Sequence, residues 1–213
     1  KTTKIEYDYD NKGNIIEVYN HGDISNNNDQ IIEKWTYVAN SVKWIINTPK
    51  IYSKYHNQLN NKVEEIKYQY DDQSYGYGPT HGDLSREEFW NSDGENPFVS
   101  YEYDQYGNLI REINANANPT TYSYGAVETT SSFPDSITNA LGHTTSFTYD
   151  LGTGNILSET DPNDIIISYI YDQFGRIIKE IQPYDSEQYP TKIYSYNLDG
   201  SAPESITVKE REQ

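Results

Sequence analysis

An aromatic residue, one spacer and a tyrosine recur along the whole chain, at Tyr7/Tyr9, Trp35/Tyr37, Tyr68/Tyr70, Tyr101/Tyr103, Tyr122/Tyr124, Phe147/Tyr149, Tyr169/Tyr171 and Tyr194/Tyr196. The second tyrosine returns at intervals of 28, 33, 33, 21, 25, 22 and 25 residues. A fixed period of about 20–50 residues marks a chain built from one supersecondary unit that buries its apolar face only against its neighbours. No linker and no shift of composition interrupts the series. Residues 1–213 therefore read as a single continuous array of about eight units.

The second tyrosine leads into a turn. Tyr9-Asp10 is followed by Gly13, Tyr103-Asp104 by Gly107 and Tyr171-Asp172 by Gly175, with Tyr196-Asn197 and Gly200 as a variant. Asp or Asn at i with Gly at i+3 is type I turn chemistry, the side chain accepting from N–H groups inside the turn. Gly then closes a hairpin with a bulge. Asn14-Ile15-Ile16, Asn108-Leu109-Ile110 and Arg176-Ile177-Ile178 read as return strands. The same grammar returns at Asn91–Gly94 and Asn139–Gly142, and Asp161-Pro162-Asn163-Asp164 places Pro at i+1. Two turns depart from it. Tyr149-Asp150 reaches Gly154 one residue late, and Tyr70-Asp71 reaches Gly82 only after an expansion through residues 72–81. Residues 20–29 also have loop composition, and long loops are where contacts and function concentrate. The resulting fold class is all-β: tandem antiparallel hairpins forming a curved open sheet. Within each pair, side chains at i and i+2 share a face, so Tyr101 and Tyr103, and Tyr169 and Tyr171, belong on the packed side, with Glu102 and Ile170 on the other.

Composition limits what such a sheet can do. Ile, Leu, Val and Phe supply 42 of 213 residues, a disorder-like share at a formal charge of −17. The 22 Tyr and 3 Trp make good the deficit, since each large ring covers roughly 150–250 Å² and keeps a polar tip wet. With 33 acids against 16 Lys plus Arg and no basic block, the chain is unsuited to nucleic-acid phosphates. The longest purely apolar run, Ile165–Ile167, is too short for a spanning helix. No Cys is present, which removes disulfides and thiolate chemistry. The chain has no Met and no apolar leader, and reads as a fragment of a larger protein whose targeting signals lie elsewhere.

The motif Tyr-Asp-x-x-Gly-[Asn/Arg]-[Ile/Leu]-[Ile/Leu] at this period resembles the Rhs, or YD, repeat family. The stretch from Phe133 through Asn139-Ala140-Leu141-Gly142 to Tyr149-Asp150 is similar to its consensus throughout. Residues 43–49 resemble part of the Rhs shells of toxin-complex B components, and animal teneurins share the architecture. The resemblance implies one arc of a hollow shell that encloses a toxic C-terminal polypeptide. It implies flanking repeats, the enclosed toxin and other toxin-complex subunits as partners, and a secreted or cell-surface bacterial setting. The self-cleaving segment that ends such arrays has no counterpart before Glu210-Arg211-Glu212-Gln213, so neither autoproteolysis nor toxin activity is carried over.

Catalytic, cofactor and metal residues are expected to be none. The aspartates are spent on turns, Glu17, Glu112, Glu159 and Glu180 sit late on return strands, and His21, His56, His81 and His143 are scattered beside turns without metal-ligand spacing. No Gly-x-Ser-x-Gly occurs, and Gly152-Thr153-Gly154 lacks the rest of a dinucleotide loop. Asp71-Asp72 and Asp93-Gly94-Glu95 are the stretches suited to calcium, without EF-hand spacing. The expected role is a structural wall segment. The rival is an extracellular adhesion module gripping glycan with exposed Tyr rows. Recurrence at every hairpin favours structure, because a binding site rarely needs eight copies of itself. Sticky outer edges are expected near Ile5–Tyr9 and Ile206–Val208.

Overall fold

The computed structural model describes residues 2–25, 28–57, 61–125, 132–198, 200 and 204–211. The chain divides into two compact units, residues 1–119 and 120–213. The first carries β1 (Thr3–Tyr9), β2 (Ile15–Asp23), β3 (Ile31–Asn40), β4 (Ile45–His56), β5 (Lys62–Tyr70), β6 (Leu84–Phe89), β7 (Phe98–Tyr103) and β8 (Leu109–Ile113). The second carries β9 (Pro119–Tyr124, starting at the boundary), β10 (Pro134–Thr138), β11 (Thr144–Tyr149), β12 (Ile156–Thr160), β13 (Ile166–Tyr171), β14 (Ile177–Ile181), β15 (Lys192–Asn197) and β16 (Ser205–Glu210). Within each unit the strands follow chain order, pair antiparallel with their neighbours and form an open all-β sheet of successive hairpins.

Local chemistry explains the hairpins. Asp104 Oδ1 accepts from the N–H groups of Tyr106 (2.8 Å) and Asn108 (2.9 Å), and Gly107 N–H donates to the Asp104 carbonyl (3.1 Å). Asp10 and Asp172 repeat this set at their own turns. Asp150 takes the N–H groups of Gly152 and Thr153 instead, which accommodates the extra residue before Gly154. Next to each such turn the ladder slips by one residue at the second tyrosine, at Tyr9, Tyr70, Tyr103, Tyr149 and Tyr171. At the short turns these bulges let two strands join without splaying, and at Tyr70 the same slip leads into the expanded turn.

Some expectations are corrected. Asn91–Gly94 does not form the i, i+3 turn. That connection closes further out, with Phe89 N–H on the Pro97 carbonyl, and Asn96 Oδ1 caps Asn91 N–H. Residues 20–23, read as loop, continue β2, which places His21 in a strand, and His56 ends β4. Asn26 and Asn27 of the 20–29 stretch, Asp199 of the Asn197–Gly200 turn, and Glu212 and Gln213 lie outside the described residues. Glu102 is exposed between half-buried Tyr101 and Tyr103, but Ile170 is half-buried like its tyrosine neighbours. Ile170 stands opposite Lys179, whose aliphatic stem can lie over it.

A one-layer sheet has little interior. Among the described residues the buried apolar side chains are Ile32, Val38, Tyr70, Pro79 and Pro190. The packing that replaces a core is a ladder of rings and acids: Tyr68 faces Glu87, Tyr101 faces Glu112, Phe147 faces Glu159 and Tyr169 faces Glu180.

Candidate functional site

The repeated tyrosines do one job over and over. The hydroxyl of the second tyrosine donates to a main-chain carbonyl on an earlier strand: Tyr37 to Ile15 (2.7 Å), Tyr70 to Pro49 (2.9 Å), Tyr149 to Pro134 (3.0 Å), Tyr171 to Ile156 (2.7 Å) and Tyr196 to Ile177 (2.8 Å). Each bond ties consecutive hairpins together. The first aromatic position turns its hydroxyl to an acid, as Tyr101 does to Glu87 (2.8 Å) and Tyr194 to Glu180 (3.3 Å). Burial, then the hydrogen bond and charge of Glu87, push the Tyr101 phenol well above its ordinary value. Tyr9, in β1, makes no such bond among the described residues. Neither does Tyr103.

Tyr103 breaks the pattern where the expanded turn 71–83 enters. Asp71 is the clasp of that turn. Its N–H donates to the Asp83 carbonyl (2.8 Å), and its carboxylate accepts from the N–H groups of Thr80, His81 (3.0 Å), Gly82 (3.0 Å) and Asp83 (3.0 Å). Burial disfavours the charge, but the N–H groups of His81, Thr80, Asp83 and Gly82 outweigh it and hold the carboxyl below its ordinary range. Asp71, His81 and Asp83 offer ligand atoms all within 4.8 Å of one another. Their geometry alone is compatible with a cation, and Asp72 and Asp104 line the same cavity of about 250 Å³. A carboxylate has about four acceptor positions, and those of Asp71 are committed to the turn. The cluster is therefore a structural clasp first. Of the stretches suited to calcium, Asp71 is engaged in this way, and Asp93 N–H is held by Asn91 Oδ1 (3.1 Å) in an exposed loop.

Further along, the turn is pinned to the neighbouring strands. Pro79 is fully buried, Asn40 Nδ2 donates to its carbonyl (2.9 Å), and a β-carbon on Gly78 would sit 2.7 Å from the Ala39 carbonyl oxygen. Between these anchors Tyr75 stands at the rim of a second cavity of about 350 Å³, whose other walls are Lys67, Gln69, Arg86 and Glu88. Lys67 is directly opposite Glu88 and Gln69 opposite Arg86, so these four side chains form a square on one face of the β5–β6 ladder. Glu88 accepts from Asn96 Nδ2 (2.9 Å), Lys67 Nζ (3.4 Å) and Arg86 Nη2 (3.2 Å). The Asn96 hydrogen bond is the largest influence on its carboxyl and, with Lys67 and Arg86, holds it below the ordinary range against the cost of burial. The Arg86 guanidinium lies 3.6 Å from the Phe98 ring centroid.

None of these wall residues is among the turn and tyrosine positions singled out by the repeat. The sequence carries their signal as Lys-x-Gln on β5 and Arg-x-Glu on β6, alternate positions flanking the longest turn, but the pairing needs the register. A further turn also went unread. Asn114 Oδ1 takes the N–H groups of Asn116 (3.0 Å) and Asn118 (3.1 Å), with Ala117 at φ +61° where glycine usually stands.

No family model matches the chain, and no curated protein matches it. Among solved structures it is similar to a chain of the Photorhabdus luminescens Tc holotoxin pore carrying a mutated TccC3, with a TM-score of 0.43 and 14% identity over 100% of this chain and 15% of that one. It is also similar to TcdB2-TccC3 without the hypervariable C-terminal region, with a TM-score of 0.36 and 10% identity over 91% of this chain and 12% of that one. TcdB2-TccC3 gives a TM-score of 0.36 and 11% identity over 90% of this chain and 12% of that one. The chain thus spans at most 15% of the length of these structures.

Proposed function

We propose that this chain is a non-catalytic wall segment of an Rhs-type container that encloses a toxic C-terminal polypeptide in a secreted or cell-surface bacterial protein. The observation that carries the wall half of the reading is the tyrosine stitch. The same hydroxyl-to-carbonyl bond recurs from Tyr37 to Tyr196, so the second tyrosine of the repeat is spent on joining hairpins. The container half rests on the likeness of the Tyr-Asp-x-x-Gly repeat to that family. Flanking repeats, the enclosed polypeptide and other toxin-complex subunits are the partners this implies.

The test is protease protection in the full-length protein. The polypeptide that follows the array should resist protease in the native protein and become sensitive when the array is unfolded. Equal digestion rates in the two states would remove the container reading.

A further inference from the structure

The square on the β5–β6 ladder has more donors than acceptors. Lys67 spends one of its three N–H groups on Glu88, and Arg86 gives one Nη2 contact to the same carboxylate. Arg86 Nε is buried without a partner, and the Gln69 side chain makes no hydrogen bond among the described residues. Glu88 already accepts three bonds. The unused capacity of this cavity is therefore for acceptor oxygens, and its Lys67, Arg86 and Glu88 leave a net positive charge in a chain whose total is −17. One wall is the ring of Tyr75, which carries the Lys50 ammonium 5.1 Å from its centroid. The volume of about 350 Å³ falls in the range of small-molecule sites, about 300–1,000 Å³.

From these features we propose that the cavity binds the carboxylate-bearing ring of an acidic sugar, a uronic acid. Arg86, held over the Phe98 ring and on Glu88 through Nη2, keeps Nη1 to donate to a carboxylate. Lys67 and Gln69 donate to ring hydroxyls, Glu88 fixes the two cations, and Tyr75 receives the apolar face of the ring. The site is built before any ligand arrives, because Asp71, Pro79 and Gly78 hold the turn that carries Tyr75. A charged, ring-shaped ligand fits better than a neutral sugar, which would leave the guanidinium unanswered. It fits better than a small carboxylate, which would leave the tyrosine bare. The proposal is independent of the wall reading: it concerns the face opposite Tyr68 and Tyr70, which the stitch does not use.

The experiment is an NMR titration of the 213-residue chain with sodium D-glucuronate, and in parallel with D-glucose, sodium acetate and inorganic phosphate. Glucuronate should shift the amides of residues 67–69, 75 and 86–88 saturably. Glucose and acetate should each bind about tenfold more weakly, the loss of roughly one good contact. Tyr75→Ala and Lys67→Gln should each weaken glucuronate by a similar factor while the remaining amide spectrum stays in place. Tyr106→Ala, an exposed ring on another turn, should change nothing. No saturable shift at these residues overturns the proposal. So does phosphate or acetate binding as tightly as glucuronate, since that is a bare anion site, and so do shifts that map to the Asp71–Asp83 side instead.

Discussion

At Gly107 the backbone stands at φ +85°, and an added β-carbon would meet nothing closer than Asp83 Oδ1 at 3.9 Å. Space is available, so the whole cost of a side chain there is conformational, about 1–2 kcal/mol. Gly107→Val should therefore lower the urea midpoint of unfolding by that much stability. Asp104→Ala should lower it less, because water replaces the carboxylate at an exposed turn. Equal midpoints would count against this account of the turn. Ala117 supplies the inverse case at φ +61°. Ala117→Gly relieves the strain of about 1–2 kcal/mol at an entropic cost of about 0.5–1, so a gain of up to about 1.5 kcal/mol is expected. A loss on that substitution would mean that the Asn114 turn is not strained at all. Asp164, also at φ +61°, shows that the array uses non-glycine residues here more than once. That is why a reading tuned to Gly at i+3 finds the Asp10, Asp104 and Asp172 turns and passes over Asn114.

Between strands, the tyrosine stitch makes two similar residues unequal. Tyr171→Phe deletes the bond to the Ile156 carbonyl and should cost about 0.5–1.5 kcal/mol. Tyr103→Phe deletes a hydroxyl that bonds nothing among the described residues and should be close to neutral. Matching losses in urea midpoints would show that the ring and not the hydroxyl holds the hairpins. The hairpins themselves were legible in the sequence because Asp-x-x-Gly acts within four residues. The stitch was not, because its acceptors lie 15 to 22 residues back and are identified only by register. Asn91–Gly94 was misread for the opposite reason: the local grammar is present, but the ladder is held open as far as Phe89 and Pro97. The Lys67, Gln69, Arg86 and Glu88 square was hidden for want of register too, since the pinned turn 71–83 separates its halves.

For the whole chain, charge sets the conditions under which such a thin sheet persists. The side chain of Asn108 and then the turn N–H groups hold Asp104 below its ordinary value, and the Ile165 N–H leads the same effect at Asp161. Their contribution to stability is complete above the unfolded value of about 3.9 and is lost as pH falls through the lower folded values. Burial raises Tyr171, and burial followed by charge raises Tyr103. Their contribution is complete below about 10 and is lost as pH rises through the raised values. A plateau of urea midpoints bounded on both sides is expected, and midpoints that kept climbing past about pH 10 would contradict the tyrosine half. Charge also governs association. The outer strands β1 and β16 are exposed along their length, with Ile206 at 61% and Tyr9 at 56%, and each presents unpaired N–H and C=O groups to a further strand. A net charge of −17 keeps copies apart while its field reaches across solvent, about 30 Å at 0.01 M salt but only about 3 Å at 1 M. Self-association in sedimentation experiments should therefore rise with salt, and Ile206→Lys with Val208→Lys should suppress the rise by putting charge on the edge itself. If the double variant associates as the parent does, pairing does not run through β16; if the parent stays monomeric at every salt, screening exposes no usable edge and the outer strands are protected by their own geometry.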